Sequence, residues 1–204
     1  MMRPIILCLV GLLVLSACGV ETKSSSDADV AAFQFVSDQP PSVTLMTVIR
    51  NSNGAGAHSG LLINGSQRVM YDPAGTWTHP TLPQRGDVFF GMNDKMVDFY
   101  IDYHARETFR VVMQTVPVPI EVADALIQTA LATSPAAKST CTSNTTSILR
   151  SVPEFSSISS TWFPKALEKD FAALPGVQSR TITDDDDNEN HGVLIVQRGD
   201  ARLN

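Results

Sequence analysis

The stretch HSGLLINGSQRVMYD, His58 to Asp72, constrains the fold more than any other part of the chain. Asn64-Gly65 is a strong short-range turn signal, and the segments HSGLLI and RVMYD on either side have strand composition. Two strands joined by so short a turn pair antiparallel, so the sheet of this protein contains at least one hairpin. VTLMTVI, Val43 to Ile49, is β-branched and bounded by Pro41 and by the flexible NSNGAGA, and reads as a strand ahead of the hairpin.

The remaining elements follow in order. DVFFG is a short strand, and Met96, Tyr100 and Tyr103 stand at helical spacing in a helix from about Asn93 to His104. TFRVVMQTV, Thr108 to Val116, is another strand. A helix opens at Pro119 and runs to about Thr133, with Ala123, Leu126, Ile127, Ala130 and Leu131 on one apolar face. A segment around Cys141 and a helix from about Pro164 to Ala173 come next. Two strands, VQSRTIT and HGVLIVQ, joined by DDDDNEN, close the chain. The expected class is α+β, an antiparallel sheet with helices packed on it.

The amino terminus has a separate purpose. Arg3, the apolar run Ile5 to Leu15 and the small residues before Cys18 have the layout of an export signal, and the run is too short to span a bilayer. Leu15-Ser16-Ala17-Cys18 resembles the lipobox of bacterial lipoproteins. By that resemblance residues 1–17 are removed, Cys18 carries the lipid, and Gly19 directs the protein to the outer membrane, facing the periplasm. Residues 18–41 then read as the lipidated cysteine and a flexible, Ser-rich tether closed by Pro40-Pro41, and 42–204 as a single domain. That domain is long enough to bury a substantial core without disulfides.

Of the 3 cysteines, Cys8 leaves with the signal and Cys18 is modified, so Cys141 is the thiol that remains. In an oxidising compartment an odd cysteine is a reactive thiol, an intermolecular bridge or a buried small hydrophobe. The formal charge is −6 and no Lys/Arg cluster occurs, which argues against nucleic acid and polybasic lipid binding. Met46, Met70 and Met113 sit in expected strands and read as core. No Gly-x-Ser-x-Gly, His-Glu-x-x-His, Walker or Cys-x-x-Cys motif is present, and DDDDNEN lacks the glycine and spacing of a calcium loop. No cofactor or metal is expected.

Cys141 follows Ser139-Thr140, both N-cap types, and shares a helical face with Thr145, Ile148 and Leu149. A sulfur in the first turn of a helix is easier to ionise, and the amides there suit an oxyanion. The base comes from 4 histidines: His58, His79, His104 and His191. His79 lies in a proline-rich loop, His104 ends a helix where a cation complements the dipole, and His191 opens the last strand. His58 is flanked by small residues that let a helix approach, and the hairpin brings up Asp72, Asn64 or Gln67 to orient its ring.

"HSGLLINGSQRVMYDPAG" and "TCTSNTTSIL" together resemble the histidine hairpin and cysteine helix of the circularly permuted papain-like NlpC-type superfamily, in which the histidine precedes the cysteine. The resemblance implies a permuted papain-like fold with Cys141 as nucleophile, His58 as general base and Asp72 as orienting residue. Asn64 and Gln67 stay open for the third role. It further implies a lipid-anchored hydrolase that cleaves a cell-wall peptide amide or an acyl ester through an acyl-enzyme. The alternative is a non-catalytic envelope lipoprotein that binds a peptide or protein partner on the same fold.

Overall fold

The computed structural model describes residues 23–188. The expected leader over residues 1–17, Cys18, the strand HGVLIVQ and His191 lie outside them.

The described residues form a mixed α+β structure around one seven-stranded antiparallel sheet, in the spatial order β4-β5-β3-β2-β1-β6-β7. The strands are β1 (Ser42–Arg50), β2 (Gly56–Asn64), β3 (Arg68–Tyr71), β4 (Gln84–Arg85), β5 (Val88–Phe89), β6 (Phe109–Pro117) and β7 (Gln178–Ile182). β1 is central, and its residues 43–49 are all buried because helices cover both sheet faces. This is why VTLMTVI carries apolar and β-branched side chains without a polar face. Val43, Leu45, Leu61 and Ile63 point to one side, Met46, Leu62, Met70 and Met113 to the other. Among the described residues β7 is the outermost strand on its side, and it is mostly exposed.

Five α-helices occur among the described residues: α1 (Asp27–Ala32), α2 (Asp94–His104), α3 (Ile120–Ala132), α4 (Cys141–Leu149) and α5 (Pro164–Ala172). α3, α4 and α5 pack on the Leu45/Leu61 face, where Ala123, Leu126, Ile127, Ala130, Ile148, Leu149, Leu167 and Phe171 build the larger core. α2 covers the opposite face with Met96, Phe99 and Tyr100. Its N-cap Asn93 accepts from the Met96 amide at 3.1 Å. None of the helices among the described residues is long and apolar enough to cross a membrane.

Residues 23–41 depart from the tether expected of them. Ser26 and Asp29 form a reciprocal capping box that starts α1, and Ser24 bridges to Arg85 on the sheet edge. Arg85 pairs with Asp27 at 2.5 Å, and the Phe35 carbonyl accepts from the Arg68 amide at 2.9 Å. The segment therefore straps the β4–β5 edge from one end of the sheet to the other.

Candidate active site

β3 ends at Tyr71, and Pro73 has no amide hydrogen with which to continue the ladder. β2 extends beyond it: Leu61 pairs with Tyr71, so His58, Ser59 and Gly60 have β1 on one side and no strand on the other. α4 docks into that gap. The Thr145 hydroxyl, which donates to the Cys141 carbonyl at 2.9 Å, lies 3.4 Å from the Ser59 carbonyl, and the Thr142 and Ser59 hydroxyl oxygens are 3.2 Å apart.

His58 meets both groups. Its Nε2 lies 2.6 Å from Asp72 Oδ1, and the Cys141 side chain is near enough to the ring for each to shift the other's titration. The Tyr100 hydroxyl of α2 donates to the same Asp72 oxygen at 2.8 Å. Cys141 is 9% exposed and the His58 side chain 13%, so both groups are largely withdrawn from water.

The electrostatics follow from these contacts. Burial works against charge on His58, but the Asp72 carboxylate and the Cys141 sulfur outweigh it and raise the imidazole from 6.5 to about 10. Burial also disfavours a thiolate at Cys141. Hydrogen bonding and charge from His58, with the Thr142 hydroxyl and the Ser59 amide, overcome it and bring the thiol from 9.0 to about 7. Between these values the favoured state is a thiolate-imidazolium pair. Asp72 is likewise pushed up by burial and drawn down by His58, ending below the ordinary carboxylate value.

α4 supplies a further element. Thr140 occupies its N-cap, yet the Thr140 hydroxyl donates to the Ala137 carbonyl at 2.7 Å and caps nothing. The first-turn amides, which begin at Cys141 itself, are thus not taken by a capping side chain and are placed for an oxyanion. Ser139 (φ 68°) and Ala74 (φ 55°) are the non-glycine residues in the left-handed region among those described. They stand two residues from Cys141 and Asp72 respectively, and backbone of this kind costs on the order of 1–3 kcal/mol and gathers at functional sites.

The other residues named from sequence are elsewhere. Asn64 donates to the Gln39 and Pro40 carbonyls at the hairpin turn, and Gln67 is in that turn, so both are at the far end of β2 from His58. His79 is buried in its loop, accepting from Thr81 and stacked on Phe99. His104 was read as a helix end, yet its ring lies parallel to His58 at 5.8 Å. Its Nδ1–H donates to the Tyr100 carbonyl at 2.7 Å, and burial, aided by repulsion from His58 against the pull of Asp72, lowers it to about 4. It stays neutral beside the pair.

One ligand atom each of His58, Asp72 and His104 falls within 4.8 Å of the others. A metal there would have to displace the proton that His58 and Asp72 share. A cavity of about 400 Å³ lined by Asp72, Gly75, Trp77, Asp87 and Ala136 adjoins the site. A larger one of about 620 Å³, at the Asn64 and Arg68 end, holds none of these groups.

No protein-family model, no curated protein and no solved structure matches this chain. The geometry of the site therefore carries the functional reading.

Proposed function

We propose that the chain is a lipid-anchored cysteine hydrolase of the bacterial envelope, built on a permuted papain-like arrangement and acting on an amide or an acyl ester. One observation carries this: a single imidazole, held 2.6 Å from a buried carboxylate, is electrostatically coupled to the thiol at the head of α4. A purely structural cysteine has no need of that chain.

The Cys141 thiolate attacks the substrate carbonyl carbon, and the carbonyl oxygen takes the negative charge against the first-turn amides of α4. The tetrahedral intermediate collapses as the His58 imidazolium gives its proton to the leaving nitrogen or oxygen, which leaves a thioester on Cys141. Water then attacks the thioester, His58 takes its proton, and the carboxylic acid departs as the thiolate leaves, which restores the thiolate-imidazolium pair. Asp72 holds the ring in orientation and balances its charge throughout.

The test is an activated ester, p-nitrophenyl acetate, with the protein weighed intact during turnover. The expected result is an acetyl adduct on Cys141, absent in Cys141→Ala and formed at least about a hundredfold more slowly in His58→Ala. A folded protein whose Cys141 takes no acetyl group, or takes it equally fast without His58, rejects the enzyme and leaves the binding lipoprotein.

A further inference from the structure

Trp162 and Phe163 are consecutive and expose 64% and 71% of their surface. They are held firmly. The Phe163 carbonyl accepts the amides of Ala166 and Leu167 at 3.0 and 3.2 Å, and the Phe163 amide donates to the Thr161 hydroxyl at 3.1 Å. Pro164, which starts α5, packs so close to Gly56 that a Cβ on that glycine would be 2.6 Å from the proline Cβ. Gly56 opens β2 two residues before His58. Two aromatic rings on an anchored stretch of backbone thus face solvent at the end of the sheet that carries the thiol.

The chain enters the described structure at the same end. The Lys23 carbonyl accepts from the Gly86 amide at 3.0 Å, and Lys23 lines the cavity that Asp72 lines. Gly86 turns β4 into β5, whose Val88 pairs with Tyr71, the neighbour of Asp72. Cys18 precedes Lys23 by five residues, which span at most about 18 Å. β2 is about 30 Å long at ~3.3 Å per residue. A lipid on Cys18 therefore cannot bring the opposite end of the sheet, where Phe33, Val36 and Ile120 are exposed, to a bilayer before the thiol end.

We infer that the thiol end of the molecule docks on the bilayer, with Trp162 and Phe163 in the boundary between headgroups and acyl chains. The indole of tryptophan, apolar with one polar edge, favours that layer, the phenyl ring of Phe163 suits its acyl side, and a protein-borne contact adds to the lipid attachment and fixes the orientation. The substrate of the Cys141 centre is then one presented at the membrane surface. The orientation rests on the lipid-anchor reading; the contact itself does not depend on catalysis.

The chain has 2 tryptophans, and Trp77 is 1% exposed, so the difference between the native protein and Trp162→Phe isolates the outer one. The full chain, as extracted from membranes, is reconstituted into phosphatidylcholine vesicles that carry bromine on an acyl chain. Trp162 emission should shift to the blue and fall at least about twofold through bromine contact, with protection from aqueous acrylamide. Emission indifferent to brominated lipid and open to acrylamide overturns the inference. So does a blue shift without vesicles accompanied by a doubled mass, which would give the surface to a second copy of the chain. In a Cys18→Ala background, Trp162→Ala/Phe163→Ala should weaken vesicle partitioning by about tenfold or more, whatever the anchor does. Equal partitioning would reject the aromatic contact.

Discussion

Asp72 Oδ1 receives both His58 Nε2 and the Tyr100 hydroxyl, while Oδ2 has no protein partner. Tyr100 is thus the second support of the buried carboxylate. A hydrogen bond to a charged group contributes about 1.5–3 kcal/mol, so Tyr100→Phe should lower stability by about 2 kcal/mol in urea at pH 7. The sign of its pH dependence follows from Asp72, whose folded value is depressed. Its stabilisation is present above 3.8 and disappears as pH falls through the folded value, so the deficit of the variant should shrink in acid. A deficit that is constant with pH would assign Tyr100 to packing alone. The places of His58 in a hairpin strand, Asp72 just after it and Cys141 at a helix start were legible because a hairpin ending and a helix start are local patterns. Tyr100 and His104 were legible as a helix face and a helix end. Whether a tyrosine on an apolar face also delivers its hydroxyl depends on how α2 lies over β3, which periodicity does not encode.

The geometry of the candidate site is created at the scale of elements by a strand that stops early. Because β3 ends at Tyr71, the backbone of Ser59 is left for α4, which is how a residue of the 141–149 helix reaches a histidine on β2. The turn after β3 holds the carboxylate in place. Its Gly75 amide donates to the Asp72 carbonyl at 3.2 Å, and a Cβ on Gly75 would collide with the Asp72 carboxyl. Gly75→Ala should therefore cost about 1–3 kcal/mol and abolish the low-pH reactivity of Cys141 by pushing Asp72 off His58. Alkylation kinetics beside a urea melt check it, and an unchanged inflection would show that the turn does not set the carboxylate. Most strands and helices stood out because their runs are bounded by Pro, Gly and Asn. α1 did not, since a Ser-rich polar stretch reads as tether. Its Ser26-x-x-Asp29 capping box was the signal that marked it.

At the scale of the whole molecule, one end of the sheet gathers the start of β2, the head of α4, the turn after β3, the exposed pair before α5 and the strap that begins at Lys23. The antiparallel α+β class was legible in the order of elements. This clustering was not, because it comes from the register of β2 against β1 and β3 and from the docking of α4 and α5. The central claim is that this end holds a coupled thiolate-imidazolium pair, and the rate of Cys141 alkylation by iodoacetamide against pH tests it most directly. With His58 charged up to about 10, raising pH through about 7 removes the thiol proton, so the rate should climb to a plateau with its inflection near 7. In His58→Ala the largest contributions that offset the burial of the sulfur are lost, and the inflection should move up from about 7 towards the ordinary thiol value of 9.0. A thiol that stays inert until the protein unfolds, or one whose inflection is the same with and without His58, would contradict the account.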